Sequence, residues 1–206
     1  MKGKAIAIIT ARGGSKRIPK KNIKEFCGKP IIAYSIEAAL TSGVFDEVMV
    51  STDSEEIADI ARNYDAQVPF MRSEQTASDY ATTADVLLEV LDEYKNIGQE
   101  FDYMACIYPT APFVTADKLR KGLQYLQEKK AVMAMPVVPF SYPPQRSYII
   151  TNQYLEMKCK ENFSKRSQDL EIMYHDCGQF YIFETKHYQK KKGLITEGIV
   201  PIIVNE

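Results

Sequence analysis

From Lys4 to Val138 the chain alternates short apolar runs with amphipathic segments, and this alternation restricts the fold more than any other feature. The runs Lys4–Thr10, Asp46–Thr52, Asp102–Tyr108 and Ala131–Val138 read as buried strands, with a shorter one at Gln67–Phe70. Between them, apolar residues recur at helical spacing. One helix opens at Pro30 and runs through Thr41, carrying Ile32, Ile36, Ala39 and Leu40 before the stop signal Ser42-Gly43. A second is expected from an Asp53 cap paired with Glu56, a third from the Thr82/Asp85 capping box, and a fourth from Thr115. Asp85, Glu89, Asp92 and Glu93 read as the solvated face of the third. Strands and helices in alternation with short connections build an α/β, mostly parallel sheet covered on both faces. Ligands of such sheets gather at the carboxyl ends of the strands. That rule brings the loop after Thr10, the Ser51-Thr52-Asp53 turn and Tyr108-Pro109-Thr110 to one rim.

The loop after the first strand is where the charge is concentrated. Between Arg12 and Lys24 it has six basic residues and no acidic one, in a chain of 26 Lys+Arg against 27 Asp+Glu. Gly13 and Gly14 at the strand mouth, with Ser15 and the lysines, have the makings of an anion nest. It is neither a Walker A loop nor a Gly-x-Gly-x-x-Gly fingerprint. A net charge of −1 argues against a general nucleic-acid face. No apolar run approaches the roughly 20 residues needed to span a bilayer, and the start does not read as a secretion signal. Cys27, Cys106, Cys159 and Cys177 are irregularly spaced, which suits a reducing, cytoplasmic setting.

After Pro139 the alternation stops. The sequence divides into a nucleotide-binding core, 1–138, a β-rich arm, 139–170, and a return to the core sheet, 171–206, within one domain overall. The return is marked by Gly178–Phe183 and a last strand, Gly198–Val204.

Five ordered blocks then carry a resemblance. They are Ala11–Asn22, Gly28-Lys29-Pro30, Val50–Asp53, Arg72-Ser73-Glu74 leading to Asp79–Thr83, and Tyr108–Pro112. Together they resemble the CMP-sialic acid synthetase group, cytidylyltransferases that activate nine-carbon 2-keto sugar acids. Arg166–Leu170 and Tyr174–Tyr181 are most similar to the pseudaminate branch; Cys177-Gly178-Gln179 stands where neuraminate enzymes usually show Asn-Gly-Ala. The neuraminate and legionaminate branches are the alternatives.

The resemblance implies a three-layer, Rossmann-like nucleotide-diphospho-sugar transferase fold in which the arm makes a homodimer. It implies that CTP and the sugar acid give a CMP-sugar and pyrophosphate. Arg12, Gly13, Gly14, Ser15, Lys16 and Lys21 match the triphosphate positions; Asn22, Arg72, Thr83 and Thr110 match those for base and ribose. Arg166 fits the sugar carboxylate, and Tyr108, Gln168, Asp176, Gln179 and Tyr181 complete the sugar set. Tyr181 reads equally well as a packing residue. Arg12 and Lys21 are the expected catalytic cations, with His175 the preferred base over its neighbour Asp176. Magnesium is expected with CTP. Family members carry an Asp-x-Asp metal segment after the last strand, whereas this sequence stops at Val204-Asn205-Glu206, so no metal ligand is assigned. A nucleotide-binding domain without activity is the reading of another class.

Overall fold

A computed structural model describes residues 3–204. In chain order its elements are β1 (Ala5–Thr10), β2 (Glu25–Phe26), β3 (Lys29–Pro30), α1 (Ile31–Ser42), β4 (Glu47–Ser51) and α2 (Glu55–Asn63). They continue with α3 (Glu74–Ala77), α4 (Thr83–Asn96), β5 (Tyr103–Ile107), α5 (Ala116–Lys129) and β6 (Met133–Pro139). Then come β7 (Tyr148–Thr151), β8 (Tyr154–Met157), β9 (Tyr174–Asp176), β10 (Phe180–Glu184), α6 (Thr185–Lys190) and β11 (Ile199–Ile203).

The main sheet has the order β11-β6-β10-β5-β1-β4. β1 lies parallel to β4 and β5, in the registers Ile8↔Met49 and Ile8↔Cys106, while β10 runs antiparallel to β5 and β6. The inverted β10 is the physical meaning of the late return to the core. Ala5–Ile9 are all buried because both faces of β1 are covered. Ala5, Ala7 and Ile9 pack on one side with residues of α1, α2 and α5; Ile6 and Ile8 pack on the other with Leu87, Leu91 and Tyr94 of α4 and Tyr188 of α6. Successive residues of a strand point to opposite faces, so one continuous apolar run serves both layers.

Local signals explain most helix ends. The Thr82/Asp85 capping box is formed in both directions, and Thr115 caps α5, which buries Leu119, Gly122, Leu123 and Leu126. Three expectations are corrected. Ser54, not Asp53, is the N-cap of α2, because the Asp53 carboxylate is drawn to another backbone N–H. Gln67–Phe70 forms only an isolated pairing, Gln67 with Met49, and the connector after Arg72 contains α3. Glu89 does not stand free in solvent: Ser73 N and Oγ (2.9 and 2.6 Å) and Thr76 Oγ1 (2.6 Å) donate to its carboxylate.

The chain forms two compact units. One runs up to Pro136 and resumes over Gly178–Ile202; the other takes Val137–Cys177 and the residues from Ile203 on. In the second unit the end of β6 pairs with β9, in the registers Val137↔Asp176 and Val138↔His175. It also holds the β7–β8 hairpin, turned at Asn152 and Gln153, both with positive φ (50° and 69°). That conformation matches the right-handed twist of a two-residue hairpin.

Candidate active site

In the first unit, the loops leaving β1, β4 and β5 and the start of α4 enclose a cavity of about 310 Å3. Arg12, Lys21, Asn22, Arg72, Thr83, Tyr108 and Thr110 all line it, together with Thr10, Thr76, Asp79 and Thr82. A second cavity, of about 380 Å3, is lined by Ser15, Lys16, Arg17 and Ile18 and shares Arg12, Lys21 and Asn22 with the first. These shared residues form the wall between a polar pocket and a basic one.

Each position follows from the local chain. Ala11 N donates to Ser51 O (2.9 Å), which extends the β1–β4 pairing by one residue and launches Arg12 from a fixed point. Gly13 N donates to Asp53 Oδ1 (2.8 Å). A Cβ on Gly13 would stand 3.0 Å from the Ser54 Cβ, so the glycine permits close approach of this loop to the β4–α2 turn. The expected pair of glycine N–H groups facing an anion is therefore corrected: Gly13 is committed to Asp53, and Gly14 lines neither cavity.

Asn22 is buried, at 4% exposure. Its Nδ2 donates to Arg12 O (2.8 Å), which fixes the amide orientation and leaves Oδ1 without a hydrogen-bond partner among the described residues. A buried acceptor left in this state is costly, and a ligand donor would relieve it. Arg72 is also buried; its Nε and Nη2 donate to Ser51 Oγ (3.0 Å) and Ser51 O (2.6 Å). It is thus a brace for the end of β4 as well as a cavity wall. Burial pushes its guanidinium below the ordinary value, and the Asp53 and Glu89 carboxylates oppose that shift. Among the described residues, neither Arg72 nor Lys21 has an ion-pair partner. Arg72 and Lys21, with no direct ion pair among the described residues, and the N-terminus of the fourteen-residue α4 make the 310 Å3 cavity receptive to an anion.

Two residues given no role in the site by the sequence organise this region. The Asp79 carboxylate pairs with Arg12 Nη1 (2.9 Å) and with Lys16; the Lys16 hydrogen bond, helped by Arg12 and opposed by desolvation, holds it below the usual carboxylate range. Glu89, in hydrogen-bond contact with Ser73 in the fold but sixteen residues away in sequence, ties α3 to α4 and so places the stretch that carries Asp79. Serine and threonine three apart at a helix start were the available signal for the second.

The expected sugar residues divide between the units. Tyr108 and Tyr181 stack edge to face, 5.8 Å between centroids, and line a pocket of about 220 Å3 with Thr83, Leu87, Phe183 and Tyr188. Burial among these rings pushes the Tyr188 hydroxyl above its ordinary range, and the Cys106 thiol up to about 12. Tyr181 is both a packing residue and a pocket wall. Gln179 Oε1 accepts from Lys118 Nζ at 3.4 Å, a partner not foreseen. Arg166, Gln168, His175 and Asp176 belong to the second unit. There Arg166 is not an open fork: it holds Asp169 through Nε (2.8 Å) and Nη2 (3.1 Å). His175 Nδ1 lies 2.9 Å from Asp176 O, and its ring packs on Phe140.

CTP-using cytidylyltransferases generally need a divalent metal ion. Among the described residues, no cluster of three His, Cys, Asp or Glu side chains could hold one, and the carboxylates that touch the basic loop, Asp53, Glu56 and Asp79, are already engaged with its cations or backbone. These donors do not make a metal site. Asn205 and Glu206, where the family's metal segment would be approached, lie outside the described residues. No helix is long and apolar enough to cross a membrane among the described residues.

A mostly parallel sheet with a polar cavity at the strand ends, walled by Arg12, Lys21 and Arg72, is the architecture of a Rossmann-like nucleotidyltransferase. Comparison with known proteins narrows this, because a family model described as "Cytidylyltransferase" matches residues 6–195. The chain belongs to the cytidylyltransferase family. It is 41% identical over 184 residues to the pseudaminic acid cytidylyltransferase of Campylobacter jejuni, covering 89% of this chain and 79% of that protein. It is 34% identical to the CMP-N,N'-diacetyllegionaminic acid synthase of Legionella pneumophila, covering 97% and 86%. A solved CMP:2-keto-3-deoxy-manno-octonic acid synthetase complexed with CTP shares the fold, with a TM-score of 0.72 at 18% identity over 98% of this chain and 90% of that one.

Proposed function

We propose that this protein transfers the cytidylyl group of CTP to a nonulosonic acid, pseudaminic acid first among the candidates. The observation that carries this is the 41% identity to a pseudaminic acid cytidylyltransferase over 89% of this chain, together with a family match over residues 6–195 that includes every wall of the 310 Å3 cavity. In this reading the anomeric C2 hydroxyl attacks the α-phosphorus in line, the P–O bond to the β-phosphate breaks, and pyrophosphate leaves. Positioning and charge stabilisation supply the catalysis. Lys21 and Arg12 stand at the wall between the two cavities and face the charge that develops there. Asn22 Oδ1 meets a donor of the nucleoside, and Arg72, Thr83 and Thr110 enclose base and ribose.

For the sugar, the 220 Å3 pocket shares Thr83 and Tyr108 with the nucleotide cavity, and its aromatic walls suit acetamido methyl groups. Arg166 takes the carboxylate by exchanging it for Asp169, a like group in a like geometry. His175 is assigned the proton of the C2 hydroxyl. Magnesium is the ion expected with CTP, as a hard cation suited to phosphate and water oxygens, and no residue of this chain is assigned to it. The homodimer is part of the same reading. The β7–β8 hairpin exposes Tyr148, Ile149, Ile150, Tyr154 and Leu155, an apolar surface that a second copy would cover.

The test is pyrophosphate release from CTP with pseudaminate, neuraminate and legionaminate in parallel. Pseudaminate is expected to give the highest kcat/KM. A higher value with either of the others would reassign the substrate, and release with none of them would remove the proposal.

A further inference from the structure

The basic loop is not waiting empty. Asp79 bridges two of its cations, with Oδ1 on Arg12 and Oδ2 on Lys16, and Arg12 Nη1 also donates to Ser78 O (3.2 Å). A carboxylate therefore sits on the groups best suited to phosphate oxygens, at the junction of the two cavities that Arg12 lines.

Three features mark this contact as exchangeable. The pairs lie in solvent: side-chain exposure is 36% for Arg12, 39% for Asp79 and 79% for Lys16. Ion pairs this open to solvent hold weakly, because water screens the charges and two long side chains must be ordered to make them. The segment bearing Asp79 has no secondary structure of its own and is fixed at both ends. Upstream, α3 is clamped through Ser73 and Thr76 onto Glu89; downstream, Thr82 is locked in its capping box with Asp85. Residues 79–81 can move while both helices stay in place. Within them Tyr80 is 95% exposed, so its ring does not pin the segment down.

We propose that Asp79 is a built-in competitor for the phosphate-binding cations: it neutralises Arg12 and Lys16 in the free protein, is displaced by nucleotide phosphates, and returns as pyrophosphate leaves. A phosphate oxygen makes the same charge-assisted hydrogen bonds with more charge behind it, so the exchange favours the ligand. Asp79 thereby weakens every ligand that needs those cations and leaves alone any that does not. It is a residue that sets affinity by charge, acting through Arg12 and Lys16. This rests on the assignment of the basic loop to the CTP phosphates.

Calorimetric titration of the full chain with CTP, inorganic tripolyphosphate and cytidine separates the two ideas. Asp79→Asn is expected to tighten CTP and tripolyphosphate by about two- to thirtyfold, the range that two exposed pairs span, and to leave cytidine unchanged. Asp79→Glu, which keeps the charge, is expected to retain near wild-type affinity. In an Arg12→Ala background the gain from Asp79→Asn should shrink, because the two residues act on one contact. Weaker or unchanged CTP binding in Asp79→Asn, or an equal change for cytidine, would overturn the proposal. Wild-type protein that binds neither CTP nor tripolyphosphate would instead remove the phosphate assignment beneath it.

Discussion

The cavity in the first unit and the arm in the second are built on opposite terms. Around the cavity, hydrogen bonds between side chains and backbone fix the walls: Arg72 donates to Ser51 Oγ and O, Asn22 donates to Arg12 O, and Gly13 N donates to the Asp53 carboxylate. In the arm, Arg166 and Asp169 pair with each other in solvent-exposed surroundings, and Tyr148, Ile150, Tyr154 and Leu155 are left exposed. A nucleotide is the same for every member of the family, so a site for it can be rigid. In the proposed function the arm meets a particular sugar acid and a second copy, and its exposed apolar surface accords with that reading.

The sharpest way to break this contrast is to remove a cation from the rigid side. Lys21→Ala is expected to lower kcat/KM for CTP by about 10²–10³-fold, the usual cost of deleting one group that stabilises developing charge. Pyrophosphate release measures it, and near-normal turnover would contradict the placement of Lys21. Arg166→Ala should act differently. It is expected to raise KM for the sugar acid by about ten- to a hundredfold, as loss of a bidentate carboxylate contact does, while CTP affinity measured by calorimetry stays unchanged. If CTP binding fell in parallel, the two regions would not be functionally separable.

A smaller effect addresses the exposed surface. Charging the hairpin with Ile150→Glu and Leu155→Glu is expected to shift the protein toward monomer in light scattering, because a dimer contact there would bury unpaired carboxylates. A wild-type protein that is already monomeric at working concentration would remove the dimer from the proposed function.

The same contrast explains what could be read in advance. The layers of the first unit follow from periodicity: Ala5–Ile9, the stripe Leu119, Gly122, Leu123, Leu126 and the Thr82/Asp85 box all act through neighbours near in sequence or through simple burial. The cavity walls followed from the rule that ligands collect at strand ends, combined with a multi-block resemblance. What was not legible depends on charged partners far apart in the chain. Asp53 looked like a cap because Glu56 follows three residues later, yet Gly13, forty residues away, takes its carboxylate. Asp79 lies more than sixty residues from Arg12 and Lys16, and no spacing rule connects them. Antiparallel β10 was also hidden, since an apolar run does not declare its direction. Arg166 looked available because its partner, Asp169, is a charge whose alternative role was unreadable.

Glu89 gives the smallest and most diagnostic effect. Partial burial pushes its carboxyl up, but the hydrogen bonds from Ser73 and Thr76 outweigh that, and the net shift is below the ordinary value of 4.5. A carboxyl depressed in the folded state stabilises the protein above its unfolded pKa, and this stabilisation is lost as pH falls through the folded pKa. The clamp is therefore expected to be intact at neutral pH and to loosen progressively below about pH 4.5. Glu89→Gln keeps the shape but not the charge, and should cost about 1 kcal/mol at pH 7, the scale of a hydrogen bond to an ionised group in partly solvated surroundings. Thermal melts from pH 7 to pH 3 provide the check. Wild type and Glu89→Gln should converge as the pH drops, because protonation does to the first what substitution did to the second. Parallel curves would mean that the carboxylate does not hold α3 to α4, and the fixed upstream end of the Asp79 segment would have to be sought elsewhere.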